Sequence, residues 1–457
     1  VRSVTLWTAA EIAAATGGTA SGSFAAGSVT FDSREVIGGE LFVALRGETA
    51  DGHDFVEAAH ARGAAGCLVS RPVQHPHVRV DDTYAGLLAL GTAARSRSAA
   101  TIVGVTGSVG KTSVKEALRR AFQQIEPDAT HWSVKSYNNH TGVPLSLARM
   151  PKNTRYGVFE MGMNHAGELA ALTRLVRPHI AVVTWVAPAH RAHFASEDAI
   201  ADAKAEIFEG LEPGGTAVLP FDNPHYPRLL AKAEQHAARI LNFGRDKRAA
   251  VHLVRSAADA SGTMVIADVC GDTCVYRVSM PGDHWVLNSL AVLAAIKAAG
   301  ADLAAAALGL GQIAGMAGRG EQCRIATAGG ELLLIDESYN ANPASVAAAL
   351  AVLGNVDATR KIVVLGAMRE LGEDSDAMHA ALADPVIASG AALAILVGHE
   401  TTPLADVLQN RLEVRRAEGH EAALLLLREV MAAGDAVLVK GSNSVGLGRL
   451  VAALKKD

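Results

Sequence analysis

The chain has 457 residues, 49% hydrophobic and 19% charged. That balance supports sizeable cores and excludes general disorder. Forty-two basic residues against 47 acidic ones leave a net charge of −5, so a nucleic-acid-coating protein is excluded and no nucleic-acid partner is expected. At about 150 residues per domain the length predicts two to three domains.

The four cysteines form no disulfide framework, and Cys270 and Cys274 lack the second cluster a thiolate metal site needs. Glu11 interrupts the apolar stretch that starts at Val4, so no signal peptide is expected. The greasiest region, 286–311, contains Asn288, Lys297, Gly300 and Asp302 and reads as two short core helices, not a membrane span. A soluble, cytoplasmic protein is the expectation.

The first hundred residues predict a strand at 41–45 and a helix at 55–62. The small, polar run 93–100 marks a boundary. The next unit alternates strands at 101–105, 157–161, 180–186, 217–220 and 239–242 with helices at 111–124, 167–176, 198–211 and 226–236. Such alternation implies βαβ units and a mostly parallel sheet. Residues 251–280 break the pattern with β-like runs at 264–266 and 275–278, an antiparallel edge. After the Gly-rich stretch 315–320, strands recur at 332–336, 361–365, 394–397 and 436–439, with a clear helix at 421–431. The fold class is α/β with three domains, at 1–98, 99–314 and 315–457. They are a small N-terminal α/β unit, a central phosphate-loop unit and a C-terminal Rossmann-like unit.

The strongest local signal is an apolar strand running into Thr106-Gly107-Ser108-Val109-Gly110-Lys111-Thr112-Ser113. Glycines allow backbone N–H groups to converge on phosphates, the helix N-terminus adds its dipole, Lys111 adds charge and Thr112 a hydroxyl for Mg²⁺. The strict pattern wants a glycine at position 105, which is valine here. Glu160 follows an apolar strand and His190 follows another, where functional groups gather past a parallel sheet. Alone, Glu160 also reads as a surface ion pair and His190 as a loop histidine. Lys204 has Ile200, Ala201, Ile207 and Phe208 three and four positions away, so it lies on a buried stripe. Burial lowers an amine's pKa, and a neutral amine can take up CO₂ as a carbamate; a snorkelling lysine is the alternative.

These residues resemble the Mur ligase family of peptidoglycan precursor synthesis along essentially the whole chain. Asp32-Ser33-Arg34, residues 41–45 and Asp51-Gly52-His53 look like its uridine-nucleotide-binding unit. The loop at 106–112, Tyr137-Asn138-Asn139, Glu160-Met161-Gly162, Ala189-His190 and Lys204 match its ATP and magnesium motifs. Asn288, Arg319 and Asp336 resemble the residues that complete nucleotide binding. The run Asp336-Glu337-Ser338-Tyr339-Asn340-Ala341-Asn342-Pro343 resembles the branch that adds D-Ala-D-Ala. Trp185-Val186-Ala187-Pro188, Arg191 and Asn443 depart from the family pattern. Asp222-Asn223-Pro224 looks like a substrate motif of a sister branch but falls in the middle unit, where a strand-end turn explains it.

The resemblance implies a ligase that joins D-Ala-D-Ala to UDP-MurNAc-tripeptide with ATP, two Mg²⁺ and a carbamylated Lys204, acting as a monomer. Residues 107–113, Asn138, Asn139, Asn288, Arg319 and Asp336 would bind nucleotide. Ser33, Arg34, Tyr339, Asn340 and Asn342 would contact substrate. Thr112, Glu160, His190 and Lys204 would serve the metal ions, and Lys111, Glu160, His190 and Lys204 catalysis. The competing readings are a sister ligase adding the third peptide residue, and a P-loop ATPase switch.

Overall fold

The computed structural model describes residues 5–188, 193–259 and 262–456. Three large sheets organise it. The first has five strands in the order Thr19–Ser21, His77–Arg79, Gly66–Val69, Glu40–Val43 and Ser28–Thr30. The second has nine, and Thr101–Thr106 lies between Ile180–Val183 and Tyr156–Glu160. The third has six, with Gly330–Glu337 beside Asp435–Lys440.

The middle sheet is parallel from Thr130–Trp132 through to Val251–Asp259. It then turns antiparallel through Gly262–Val269 and Asp272–Val278, as the alternating runs predict. Parallel strands buried on both faces read as continuous apolar runs, and Ile102, Val103 and Val105 are fully enclosed. The greasy region forms two helices, Asp283–Ala298 and Leu303–Leu310. The first is buried at ten positions because it packs beneath the middle sheet.

The third sheet is parallel except for Glu321–Thr327, which pairs antiparallel with Gly330–Glu337. Its cores lie on both faces, under Pro343–Gly354 on one side and under His420–Val430 and Leu447–Leu454 on the other.

Helix Thr83–Ser96 continues into the small, polar run. Its N-cap Asp82 accepts from the Tyr84 and Ala85 N–H groups at 2.7 and 3.2 Å. Near its end, Arg95 donates to the carbonyls of Val176 and Arg177, both at 2.8 Å. Buried carbonyls left by the turn after Glu168–Val176 are thereby satisfied. The polar run is therefore pinned against the end of helix Glu168–Val176.

The predicted strand 41–45 ends at Val43 and the predicted helix 226–236 at Ala233, and two predicted elements nearer the site also end earlier in the structure. The strand from Ile180 stops at Val183, because Thr184 turns its hydroxyl to the carbonyls of Thr106 and Val109, at 3.2 and 2.5 Å. The helix around Lys204 spans Glu197–Ala205 and tightens into a 3₁₀ turn, Glu206–Gly210.

Candidate active site

The phosphate loop occupies the turn between strand Thr101–Thr106 and helix Lys111–Ile125. Val105 stands inside the strand, paired with Glu160 and Val182, so the turn needs no glycine there. It needs them at 107 and 110, where φ is 152° and 84°. A Cβ on Gly107 would lie 2.0 Å from Thr184 Oγ1, and one on Gly110 2.8 Å from Asn288 Oδ1. Ser108 N donates to Trp185 O at 2.7 Å, and Ala187 N to Ser108 Oγ at 3.1 Å. The unusual segment Trp185-Val186-Ala187 thus braces the loop. Asn223 braces it in turn: buried beyond strand Thr216–Pro220, its Nδ2 donates to Val186 O at 2.9 Å. This is the structural use of Asp222-Asn223-Pro224.

Glu160 ends its strand and is 1% exposed, so it is no surface ion pair. Thr112 Oγ1 donates to its Oε2 at 2.8 Å and Asn138 Nδ2 to its Oε1 at 2.7 Å. The carboxylate is thereby fixed beside the Thr112 hydroxyl at the start of a helix. Lys111 Nζ donates to Gly107 O at 2.6 Å. Burial pushes the Lys111 amine down, and the Glu160 carboxylate partly restores it.

The opposite wall comes from the third sheet. Arg319 lies 3.9 Å from the centroid of the Tyr339 ring, a cation–π geometry. Its Nη2 donates across the cleft to Ser136 Oγ at 3.3 Å. Lys440, buried at the end of its strand, donates to Asn340 O at 2.8 Å and pairs with Glu337 at 3.4 Å. Desolvation holds its amine below the ordinary lysine range. The two walls enclose a cleft of about 450 Å³, within the range of small-ligand sites.

Of the residues singled out from sequence, Ser108, Val109, Gly110, Lys111, Thr112, Ser113, Asn138, Glu160, Asn288, Arg319, Tyr339, Asn340 and Asn342 line this cleft. Others stand behind it. Asn139 Oδ1 accepts from Gly142 N at 2.9 Å at the head of helix Gly142–Ala148. Asp336 accepts from Gly318 N at 2.8 Å and from Ser338 Oγ at 2.6 Å, so it holds the turn that presents Arg319. Asn342 is a wall residue whose carboxamide caps helix Pro343–Gly354, accepting from Ser345 N at 2.9 Å. Ser33 and Arg34 sit on the separate 3₁₀ turn Ser33–Glu35, with Arg34 paired to Asp32 at 2.7 Å. His190 lies outside the described residues.

Lys204 is 1% exposed and does not snorkel. Its pKa is driven well below the ordinary lysine value, first by burial and then by the nearby Lys111 charge. Among the described residues it makes no ion pair. Sequence reasoning missed Thr184, Ser136, Asn223 and Lys440. Each acts on a backbone or side chain remote in the chain, and no local pattern marks that.

The donors near Glu160 fit a hard cation. Thr112 and Glu160 offer oxygens, the ligand type Mg²⁺ takes beside substrate phosphates. Among the described residues no cluster of three or more His, Cys, Asp or Glu forms an all-protein metal cage.

Three family profiles match. They are described as "Mur ligase family, catalytic domain" at residues 25–119, "Mur ligase middle domain" at 105–296 and "Mur ligase, glutamate ligase domain" at 318–443. A Rickettsia prowazekii protein named UDP-N-acetylmuramoyl-tripeptide–D-alanyl-D-alanine ligase is 31% identical over 98% of this chain and 99% of its own. The chain belongs to the Mur ligase family. A crystal structure of MurF from Acinetobacter baumannii superposes with a TM-score of 0.84 at 28% identity, covering 99% of each chain. MurF ligase from Thermotoga maritima in complex with ADP gives 0.78 at 25% identity, over 94% of this chain and 97% of that one. The Mur ligase three-domain α/β fold expected from sequence is the fold observed.

Proposed function

We propose that this chain is the ATP-dependent ligase that joins D-Ala-D-Ala to UDP-MurNAc-tripeptide, giving the pentapeptide precursor of peptidoglycan. It is a cytoplasmic reaction of a monomer. One observation carries the reading: the Thr112–Glu160 pair on the phosphate-loop wall faces the Tyr339-to-Asn342 wall across a single cleft. Full-length relatives named for this reaction support it.

The reaction needs a carboxylate activated by phosphate transfer. A substrate carboxylate oxygen attacks the γ-phosphorus of ATP, ADP departs, and an acyl phosphate results. The amine nitrogen of D-Ala-D-Ala then attacks the acyl carbon, loses a proton and displaces inorganic phosphate. Such chemistry is positioning plus charge neutralisation. The loop N–H groups and Lys111 hold the phosphates. Thr112 and Glu160 would hold one Mg²⁺, with Asn138 fixing the carboxylate. His190 and Lys204 would serve a second. When bound, Mg²⁺ neutralises phosphate charge and polarises the transferred group. Arg319 and Lys440 bring positive charge from the third sheet, and the close approach of the two walls excludes water that would hydrolyse the acyl phosphate.

Lys204 gains a role through its buried amine. Its neutral form attacks CO₂ at carbon and releases a proton, which turns a cation into a carbamate anion able to face Mg²⁺. Its full enclosure supports this reading over a lysine whose head reaches water. Mass spectrometry of the products tests the function: ATP, Mg²⁺ and both substrates should yield UDP-MurNAc-pentapeptide. Carboxylate ¹⁸O should appear in the released phosphate. Product without label transfer would contradict the acyl phosphate, and no product would contradict the assignment.

A further inference from the structure

Residues 133–138 connect strand Thr130–Trp132 toward helix Gly142–Ala148 and touch two different parts of the molecule. Ser136 and Asn138 face the cleft. Ser136 Oγ accepts from Arg319 Nη2 at 3.3 Å, and Asn138 Nδ2 donates to Glu160 Oε1 at 2.7 Å. Two odd members face the N-terminal sheet and reach one carboxylate: Lys135 Nζ and Tyr137 OH both donate to Glu35 Oε1, the hydroxyl at 3.0 Å. From the neighbouring helix end, Arg149 Nη2 approaches Glu35 Oε2 at 3.4 Å while its Nε donates to Val29 O at 2.5 Å. The Phe31 and Tyr137 rings add an apolar contact at 5.7 Å.

The segment is braced from behind. Lys115, fully buried on the phosphate-loop helix, donates to the carbonyls of Ser133 and Lys135 at 3.0 and 3.1 Å. Gly162 N donates to Asn138 O at 2.7 Å. Lys135 itself is held at φ 52°, a left-handed conformation that costs a non-glycine residue energy and persists only where its surroundings impose it. The route from Glu35 to Glu160 is therefore short and contiguous. It runs through the Tyr137 hydroxyl, one peptide unit and the Asn138 carboxamide.

Glu35 ends the turn that carries Ser33 and Arg34. We propose that Glu35 is a positioning residue, and that residues 133–138 couple the uridine-substrate turn to the magnesium–nucleotide cleft. Substrate on the turn fixes the Glu35 carboxylate, which fixes Lys135 and Tyr137, and with them Asn138 on Glu160 and Ser136 under Arg319. Coupling of this kind is reciprocal for binding. The inference rests on the proposed function in taking the Ser33–Glu35 turn as a uridine-substrate contact.

Calorimetry on the full chain tests it. The affinity of Mg²⁺ with a non-hydrolysable ATP analogue is measured with and without saturating UDP-MurNAc-tripeptide. Wild type should bind the analogue about five- to tenfold tighter with the tripeptide present. Glu35→Gln and Lys135→Ala should each bring that ratio to about one, and the double variant no lower, with melting temperatures close to wild type. A wild-type ratio of one, or a Glu35→Gln variant that keeps the wild-type ratio, would overturn the inference. A variant that lowers only the melting temperature would show a structural tie and overturn it too. The product assay separates this from the function. Coupling without pentapeptide removes the function and leaves the linkage, whereas pentapeptide without coupling removes the linkage alone.

Discussion

At the scale of single residues, the site depends on enclosing charged groups and fixing them with neighbours. Glu160 has both oxygens in hydrogen bonds, to Thr112 and Asn138. Glu160→Gln keeps the shape and removes the charge proposed to hold Mg²⁺. We expect kcat/KM for ATP to fall about 10²- to 10³-fold, the scale of losing one preorganised electrostatic contact, with little change in melting temperature. Steady-state kinetics at saturating Mg²⁺ checks this. Lys204→Ala should lose turnover by about 10²-fold or more and regain part of it on addition of a short carboxylic acid. Full activity of the unrescued variant would remove the carbamate. These two residues were legible in the sequence because each breaks an apolar pattern, one at a strand end and one on a helix stripe. Asp336 and Asn139 were legible as important residues, but their hydrogen-bond partners were not. Their carboxylate and carboxamide bind backbone N–H groups of turns, and side-chain spacing says nothing of where those donors will be.

At the scale of elements, caps and joints tie the N-terminal sheet to the middle one. Helix Ala9–Thr16 begins with a capping box: Glu11 N donates to Thr8 Oγ1 at 3.2 Å and Thr8 N to Glu11 Oε2 at 2.8 Å. Lys152, from the far side of the joint, donates to Glu11 Oε1 at 2.6 Å. The Lys152 amine and the Thr8 N–H hold the Glu11 carboxyl down to about 2, against an ordinary 4.5. A lowered carboxyl pKa stabilises the fold above the unfolded value and loses that contribution as pH falls toward the folded value. Glu11→Gln should therefore be less stable than wild type at pH 7, and the gap should shrink between pH 4.5 and 2. Urea unfolding across that range measures it; a gap independent of pH would contradict the account. The βαβ alternation of the middle and third sheets was legible because buried parallel strands are apolar throughout. Strand Glu321–Thr327 was not, since this partly exposed antiparallel edge carries Glu321, Gln322 and Arg324 in place of a continuous apolar run. Thr130–Trp132 is too short to carry a period.

At the scale of the molecule, one cleft draws its walls from the second and third sheets, and the N-terminal unit meets the segment that carries Ser136 and Asn138 through the Glu35 and Phe31 contacts. On the proposed function, this arrangement would place nucleotide on one wall, acceptor chemistry on the other, and the uridine-bearing substrate on the separate Ser33–Glu35 turn. A P-loop switch would need none of the second wall's buried charge, yet Lys440 is buried there beside Glu337 and Arg319 stacks on Tyr339. No helix among the described residues is long and apolar enough to cross a membrane. The choice between this reading and a sister ligase that adds the third residue rests on the Tyr339-to-Asn342 wall. Removing Mg²⁺ with a chelator should abolish turnover for any of these ligases, so it does not separate them.

The most direct measurement is phosphate release from ATP and Mg²⁺ by the purified protein, omitting UDP-MurNAc-tripeptide and D-Ala-D-Ala in turn. The account predicts release that requires both, one phosphate for each pentapeptide formed. Release indifferent to both substrates would contradict it and leave an ATPase switch as the reading of the cleft.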